Sequence, residues 1–279
     1  IVNQRSMPTF ENTIEALDRS GQMLNRVASA FFALLSAESN DEMMEISQRV
    51  SPKLSQTSNN IFLNEKLLAR VKSIYDKKEQ LNLSTEDAKL LEDLYESFKA
   101  NGATLNKDDK EKYRKLSMDL SMLTLQFDQN ALKDKNRFEL LITDENELSG
   151  LPESARDAAA MLAKSKDKNG WLFNLSAPSY IPFMRYSDKR DLREKMYREY
   201  MSVGNKGDEF DNKDIIKKIV NIRLEIAQLM GFKNYAEYAL EYTMAKNSAN
   251  VYKLLNQLLE AYKPIAINEY NAVEGFALG

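Results

Sequence analysis

What most restricts the fold of this chain is the persistence of apolar residues at alternating spacings of three and four. After Pro8-Thr9, residues Phe10, Ile14, Leu17, Gly21, Leu24, Ala28, Phe31 and Leu35 follow that rhythm. It lays an apolar or small face along one helix of nearly thirty residues. Thr9 is placed to cap it, with Asn12 where a capping-box Glu often sits. Gly21 falls on the same face: either its missing side chain admits a neighbouring helix, or Ser20-Gly21 kinks the rod. Nine glycines and six prolines leave few breaks elsewhere. Further helices are expected over Asp41–Asn59, broken near Ser51-Pro52, then Asn64–Lys78 and Ser84–Lys99. The last of these has an acidic first turn and a stop at Asn101-Gly102. A long helix over Lys107–Lys133 carries Tyr113, Leu116, Leu120, Leu123 and Phe127.

The middle of the chain changes period. Segments 137–143 and 171–176 read as strands able to pair as an antiparallel ribbon, with a helix over Pro152–Lys166 packed on it. Asp167-Lys-Asn-Gly170 is a turn, and Ala177-Pro-Ser-Tyr-Ile-Pro182 an extended connector held by two prolines. Helices resume over Asp188–Val203, over Asp211–Met230 with Ile215, Ile219, Ile222, Ile226 and Leu229 on one face, over Tyr235–Met244, and from Ser248 onward. The expected class is therefore mainly α, long antiparallel helices with one small antiparallel β-ribbon. Three regions are expected: helical 1–136, ribbon plus helix 137–187, and helical 188–279. No period of 30 to 50 residues points to a repeat array.

Chemistry is harder to find. The 279 residues contain no histidine and no cysteine, which removes His-metal, Ser-His-Asp and thiolate chemistry from this stretch. A calcium loop around Asp167, Asn169 and Gly170 fails because Ser165 and Ser176 occupy the terminal ligand positions; a plain hairpin turn fits better. The acids Glu92, Asp93 and Glu96, and Asp208, Glu209 and Asp211, are expected to be structural or solvated rather than acid/base catalysts. Lys189, Arg190, Arg193, Lys195 and Arg198, interleaved with Tyr186, Tyr197 and Tyr200, could hold a carboxylate or phosphate. An amphipathic helix with tyrosines inward and arginines wet is the favoured reading. No catalytic, cofactor-binding or metal-ligating residue is assigned. A net charge of −3 with both signs dispersed draws neither nucleic acid nor a membrane surface, and no apolar run approaches a membrane span. The start shows no signal peptide and no initiating Met, so both ends are read as cut from something longer. The compartment is left open, with a soluble, cytoplasmic protein favoured.

Ordered sequence blocks add more. Met7-Pro-Thr-Phe-Glu-Asn-Thr-Ile-Glu-Ala-Leu17 with Ser20-Gly21, Ser51-Pro-Lys-Leu54 and Ile61-Phe-Leu-Asn64 come first. Leu91-Glu-Asp-Leu-Tyr95, Gly102-Ala-Thr-Leu105, Phe127-Asp-Gln-Asn130 and Leu148-Ser-Gly-Leu-Pro152 follow. Gly170-Trp171, Pro178-Ser-Tyr-Ile-Pro182 and Leu229-Met-Gly-Phe-Lys-Asn-Tyr-Ala-Glu-Tyr238 complete the series, with Met244-Ala after them. Together they resemble the thimet-oligopeptidase and peptidyl-dipeptidase family, with the pattern nearer the peptidyl-dipeptidases. The resemblance implies a zinc metallopeptidase that cuts short peptides in a deep channel between two largely helical halves. Its zinc site would be an H-E-x-x-H helix with a downstream Glu, which this chain lacks. One departure is Thr57, where relatives often carry a His outside the zinc site. The expectation is an N-terminal, non-catalytic region that walls the channel, its partners being short peptide substrates and a missing C-terminal catalytic half. No cofactor is expected in this stretch, with zinc in the parent enzyme. Apolar surface should face that missing half. Two readings stand beside it: a complete helical scaffold or peptide-binding protein, and a metal-independent hydrolase using acids such as Glu92 and Asp208.

Overall fold

A computed structural model describes residues 1–278, which divide into two compact units. The first comprises Ile1–Ala28, Leu54–Met118 and the residues from Asn221 onward; the second comprises Ser29–Lys53 and Asp119–Val220. The helices are α1 Ala16–Ser20, α2 Gln22–Ala37, α3 Asp41–Phe62, α4 Glu65–Tyr75, α5 Thr85–Ala100 and α6 Lys107–Arg137. Then come β1 Leu140–Ile142, α7 Glu153–Ser165 and β2 Trp171–Phe173. The remaining helices are α8 Ala177–Tyr186, α9 Arg190–Met201, α10 Lys213–Leu229, α11 Tyr235–Leu240 and α12 Ser248–Leu278. The class is mainly α with one two-stranded antiparallel sheet, as expected.

In the first unit the core gathers Ile14, Leu67, Val71, Leu91 and Phe98, the last edge-on to Phe62 at 5.2 Å between ring centres. Thr9 caps the opening segment in a reciprocal box: its Oγ1 accepts from the Asn12 amide and its own amide donates to Asn12 Oδ1. The first turns, Phe10–Glu15, are wound as a π-helix, and the expected single rod is interrupted at Gly21, between α1 and α2. A Cβ on Gly21 would meet only Asn25 Nδ2, at 3.7 Å. No helix therefore approaches there, and the glycine acts as a break. Ser84 and Asn64 cap α5 and α4 through side-chain oxygens that accept from the amides of Asp87 and Leu67, satisfying N–H groups that a helix start otherwise orphans.

In the second unit the ribbon pairs Leu140 with Phe173, Leu141 with Leu172 and Ile142 with Trp171, and α7 packs on β2. Both strands are three residues long, shorter than their apolar runs suggested. Phe173 and Phe183 meet edge to face at 4.8 Å in a core completed by Phe138, Leu151, Ala159 and Met196. That core corrects one expectation. Residues 177–182 are not an extended connector but most of α8. Pro178 sits in the first turn, where a missing N–H loses nothing. Pro182 lies inside the helix, which holds because Phe183 is fully buried. A second correction has the same origin. The helix expected to break at Ser51-Pro52 runs unbroken as α3 through Pro52. Side-chain bonds fasten it before and after that residue, at Ser47 and Gln48 and again at Asn59. Near the end, α11 stops at Leu240 rather than Met244.

Candidate functional site

Five of the six acids singled out from sequence, all but Glu209, are engaged. Glu96 accepts from Lys99 at 2.9 Å, Asp93 pairs with Lys89, and Lys78 lies 3.8 Å from Glu92. Burial pushes the Glu96 carboxyl up, but hydrogen bonds from Lys99 and Tyr242 outweigh it and hold it below the usual range. Asp211 accepts from the Gly207 amide at 2.6 Å and the Lys213 amide at 2.9 Å, with the Lys213 ammonium at 2.8 Å. Those bonds, the ammonium's first, bring its pKa down to about 2. Arg137 likewise depresses Asp208. Carboxylates held ionised by cations and amides are poor proton donors near neutrality and serve as braces for a loop. Asp167 stands at positive φ in the turn between α7 and β2, not within a hairpin, because α7 separates the two strands.

Beneath that loop lies a carboxylate that sequence reasoning missed. Asp134 on α6 is fully buried, accepts from the Gly204 amide at 2.7 Å, and pairs with Arg137 at 2.7 Å and Lys206 at 3.1 Å. Lys206 also reaches Glu199 at 2.7 Å and Arg137 also reaches Asp208. Asn212 completes the junction. Its Nδ2 donates to the Phe127 carbonyl at 3.0 Å and its Oδ1 accepts from Asn130 at 3.0 Å. Beside it, Gln129 donates to Ser47 Oγ at 3.2 Å and accepts from Gln48 at 2.7 Å. In the first unit Arg70 plays the same part, donating to Thr13, Asn12, Gln4 and the Ser6 carbonyl. These are joints, and none presents a reacting atom.

Open clefts also mark the surface, among them two in the second unit. One, of about 400 Å³, lies between α8 and α9 and is lined by Met184, Arg190, Arg193, Glu194, Tyr197 and Arg198. The favoured orientation of α9 is corrected there: Met196 is the fully buried residue, while Tyr186, Tyr197 and Tyr200 are exposed. Tyr200 instead stacks on Tyr180 at 4.2 Å. Arg198 is taken by Glu194 on the same helix at 2.7 Å, and Arg193 donates to the Ser187 carbonyl at the end of α8, so both arginines brace the fold. The second cleft, of about 460 Å³, is apolar (Phe32, Leu35, Met44, Leu125 and Leu132) with Asp128 at its side, its carboxyl pushed up by burial.

Among the described residues no group of three or more histidine, cysteine, aspartate or glutamate side chains converges on a point where a metal could bind. Nor, among them, is any helix long and apolar enough to cross a membrane. What the structure does expose is the C-terminal helix. Residues of α12 beyond Val251 are exposed along its length, although leucine, isoleucine, valine and aromatic residues recur throughout.

The sequence model of Peptidase family M3 matches residues 183–278. The chain is 33% identical over 269 residues to the dipeptidyl carboxypeptidase of Escherichia coli, covering 96% of this chain and 40% of that protein. Oligopeptidase A of Salmonella typhimurium is 33% identical over 273 residues (96% and 40%), and oligopeptidase A of Escherichia coli 32% over 281 residues (99% and 41%). The chain thus spans about two fifths of the length of the relatives it matches. Over that shared length the chain is similar to peptidases of the M3 family, in keeping with the resemblance of its sequence blocks to the thimet-oligopeptidase and peptidyl-dipeptidase group.

Proposed function

We propose that this chain is the N-terminal, non-catalytic part of a zinc metallopeptidase that hydrolyses short peptides, and that it forms one wall of a deep channel admitting only short, unstructured substrates. The observation that carries the reading is the match over 96% of this chain to 40% of a dipeptidyl carboxypeptidase. That match falls on a chain with neither histidine nor a metal-binding group among its described residues. In M3 enzymes zinc polarises the scissile carbonyl and activates water; here that chemistry belongs to polypeptide that the relatives carry and this chain does not.

The joints around Asp134, Asn212 and Arg70 suit a wall, because they fix helices without leaving reactive groups at the surface. The test is the reading frame from which the chain derives. It should continue for about four hundred further residues, a usual size for a two-domain chain, and encode H-E-x-x-H. A frame that stops after Gly279 would favour a helical scaffold instead.

A further inference from the structure

Helix α12 has two unlike halves. At 100° per residue, Leu255, Leu258, Tyr262, Ile265, Val273 and Phe276 fall on one side, with Leu254 and Leu259 beside them. The opposite side carries Lys253, Glu260, Lys263 and Glu274, with the apolar Ile267 and Leu278 among them. The apolar side spans about half the circumference, wider than the roughly 100° stripe by which a surface helix rests on its own core. Yet it is bare. Tyr262 is 63% exposed and Phe276 90%, and no residue of α12 is buried. A 31-residue helix is about 46 Å long, so this face offers on the order of 700 Å². That is near what each partner contributes to a stable interface and above the largest patch of an ordinary monomer.

Two details say which way the helix faces. Pro264 cannot donate to the Glu260 carbonyl one turn back, and both residues lie on the polar side, where water can satisfy the freed oxygen. Glu269 is the one charge within the apolar half. Burying it requires a cation or several donors opposite. A second copy would bring only another apolar stripe with its own Glu269, so self-pairing leaves the carboxylate unmatched. A membrane surface is also a poor cover, because the polar half balances Lys253 and Lys263 against Glu260 and Glu274 instead of being basic.

We infer that the apolar half of α12 is the docking surface for the polypeptide corresponding to the remaining three fifths of the M3 relatives, which contributes an apolar groove and a Lys or Arg opposite Glu269. This rests on the reading under Proposed function and specifies the contact through which the two parts join. These 279 residues hold no cysteine, so a thiol introduced in α12 is the one thiol of its peptide. Leu258→Cys, Tyr262→Cys and, on the polar side, Lys253→Cys are introduced singly, into this chain and into the product of its full reading frame. Thiol labelling is then read by mass spectrometry of the α12 peptide, with circular dichroism confirming unchanged helicity.

In this chain alone all three should label rapidly. In the full product, positions 258 and 262 should slow at least about tenfold while 253 changes little, as expected for burial of one face only. Equal rates at 258 and 253 in a full product that carries H-E-x-x-H would overturn the docking and leave the peptidase reading standing. Protection of position 258 in this chain alone, with a dimeric mass, would overturn it in favour of a second copy. A frame ending at Gly279 would remove the occupant and overturn both.

Discussion

Replacing Asp134 by alanine removes the most enclosed charge in the second unit and tests whether the 204–212 loop is held from beneath. The magnitude follows from what each partner loses. The Gly204 amide is buried and gives its hydrogen bond to Asp134 Oδ2; orphaning such a donor costs about 1–3 kcal/mol. Arg137 and Lys206 also lose a carboxylate but keep Asp208 and Glu199, and both side chains are partly exposed. Neither cation is stranded, so the upper end of the ~3–5 kcal/mol range for breaking a buried pair is not reached. Asp134→Ala should therefore destabilise by about 3 kcal/mol. Asp134→Asn, which keeps the shape and an acceptor for Gly204 but turns an amide toward the cations, should cost about half as much. The chain's single tryptophan, Trp171, lies in the same unit on β2. Urea unfolding followed by its fluorescence should move to a lower midpoint at constant slope. A shift below about 0.5 kcal/mol for Asp134→Ala, within the usual range for surface changes, would refute the bracing role. So would Asp134→Asn proving the more harmful of the two.

Other consequences are independent of that one. Gly150 has φ +85°, and a Cβ there would sit 2.1 Å from the Tyr186 carbonyl oxygen; Gly150→Ala should destabilise by about 2 kcal/mol or more, read as a fall of several degrees in Tm. Phe183→Ala removes a fully buried ring packed on Phe173 and should cost about 3–5 kcal/mol by the same urea titration. Asp211, Asp208 and Glu139 are all held below their ordinary values, Asp211 at about 2, chiefly by Lys213, Arg137 and Lys166. A carboxylate depressed on folding adds stability that is complete above the unfolded value near 4 and fades as pH falls through the folded one. Stability should thus be flat from about pH 7 to 5 on their account and decline toward pH 2. Asp211→Asn should flatten that decline, and an unchanged acid limb would contradict the assignment.

The helices were legible because their signal is local. The period of three and four around Ile14, Val71, Leu116 and Ile226 reports burial one turn at a time, and each of these residues is buried. Proline misled the reading twice for the opposite reason. At Pro52 and Pro182 the local rule favours a break, but packing or hydrogen bonding of distant residues, Gln129 in one case and Phe173 in the other, keeps the helix whole. The arginines and tyrosines of α9 show a third limit: spacing said that one face turns inward, yet only packing decides that Met196 takes that place. Asp134 and Gly204 are 70 residues apart, and nothing along the chain announces that they meet. Several resemblance blocks nonetheless coincide with joints. Asn12 and Thr13 bond to Arg70, Gln129 and Asn130 fasten α6, and Gly150 and Gly170 sit where a side chain would strike backbone. Those blocks carried the family because they carry the fold. Exposed apolar surface toward a missing half was expected, but no sequence pattern singled out α12 as the helix that bears it.

The central claim, that this chain shapes a peptidase without carrying its chemistry, meets its most direct test in zinc stoichiometry measured beside peptide hydrolysis. The product of the full reading frame should bind about one zinc per chain, as catalytic zinc sites do, and cleave short peptides in a chelator-sensitive manner. The 279-residue chain should bind no stoichiometric zinc and cleave none. Stoichiometric zinc with chelator-sensitive cleavage by the 279-residue chain alone would contradict the account.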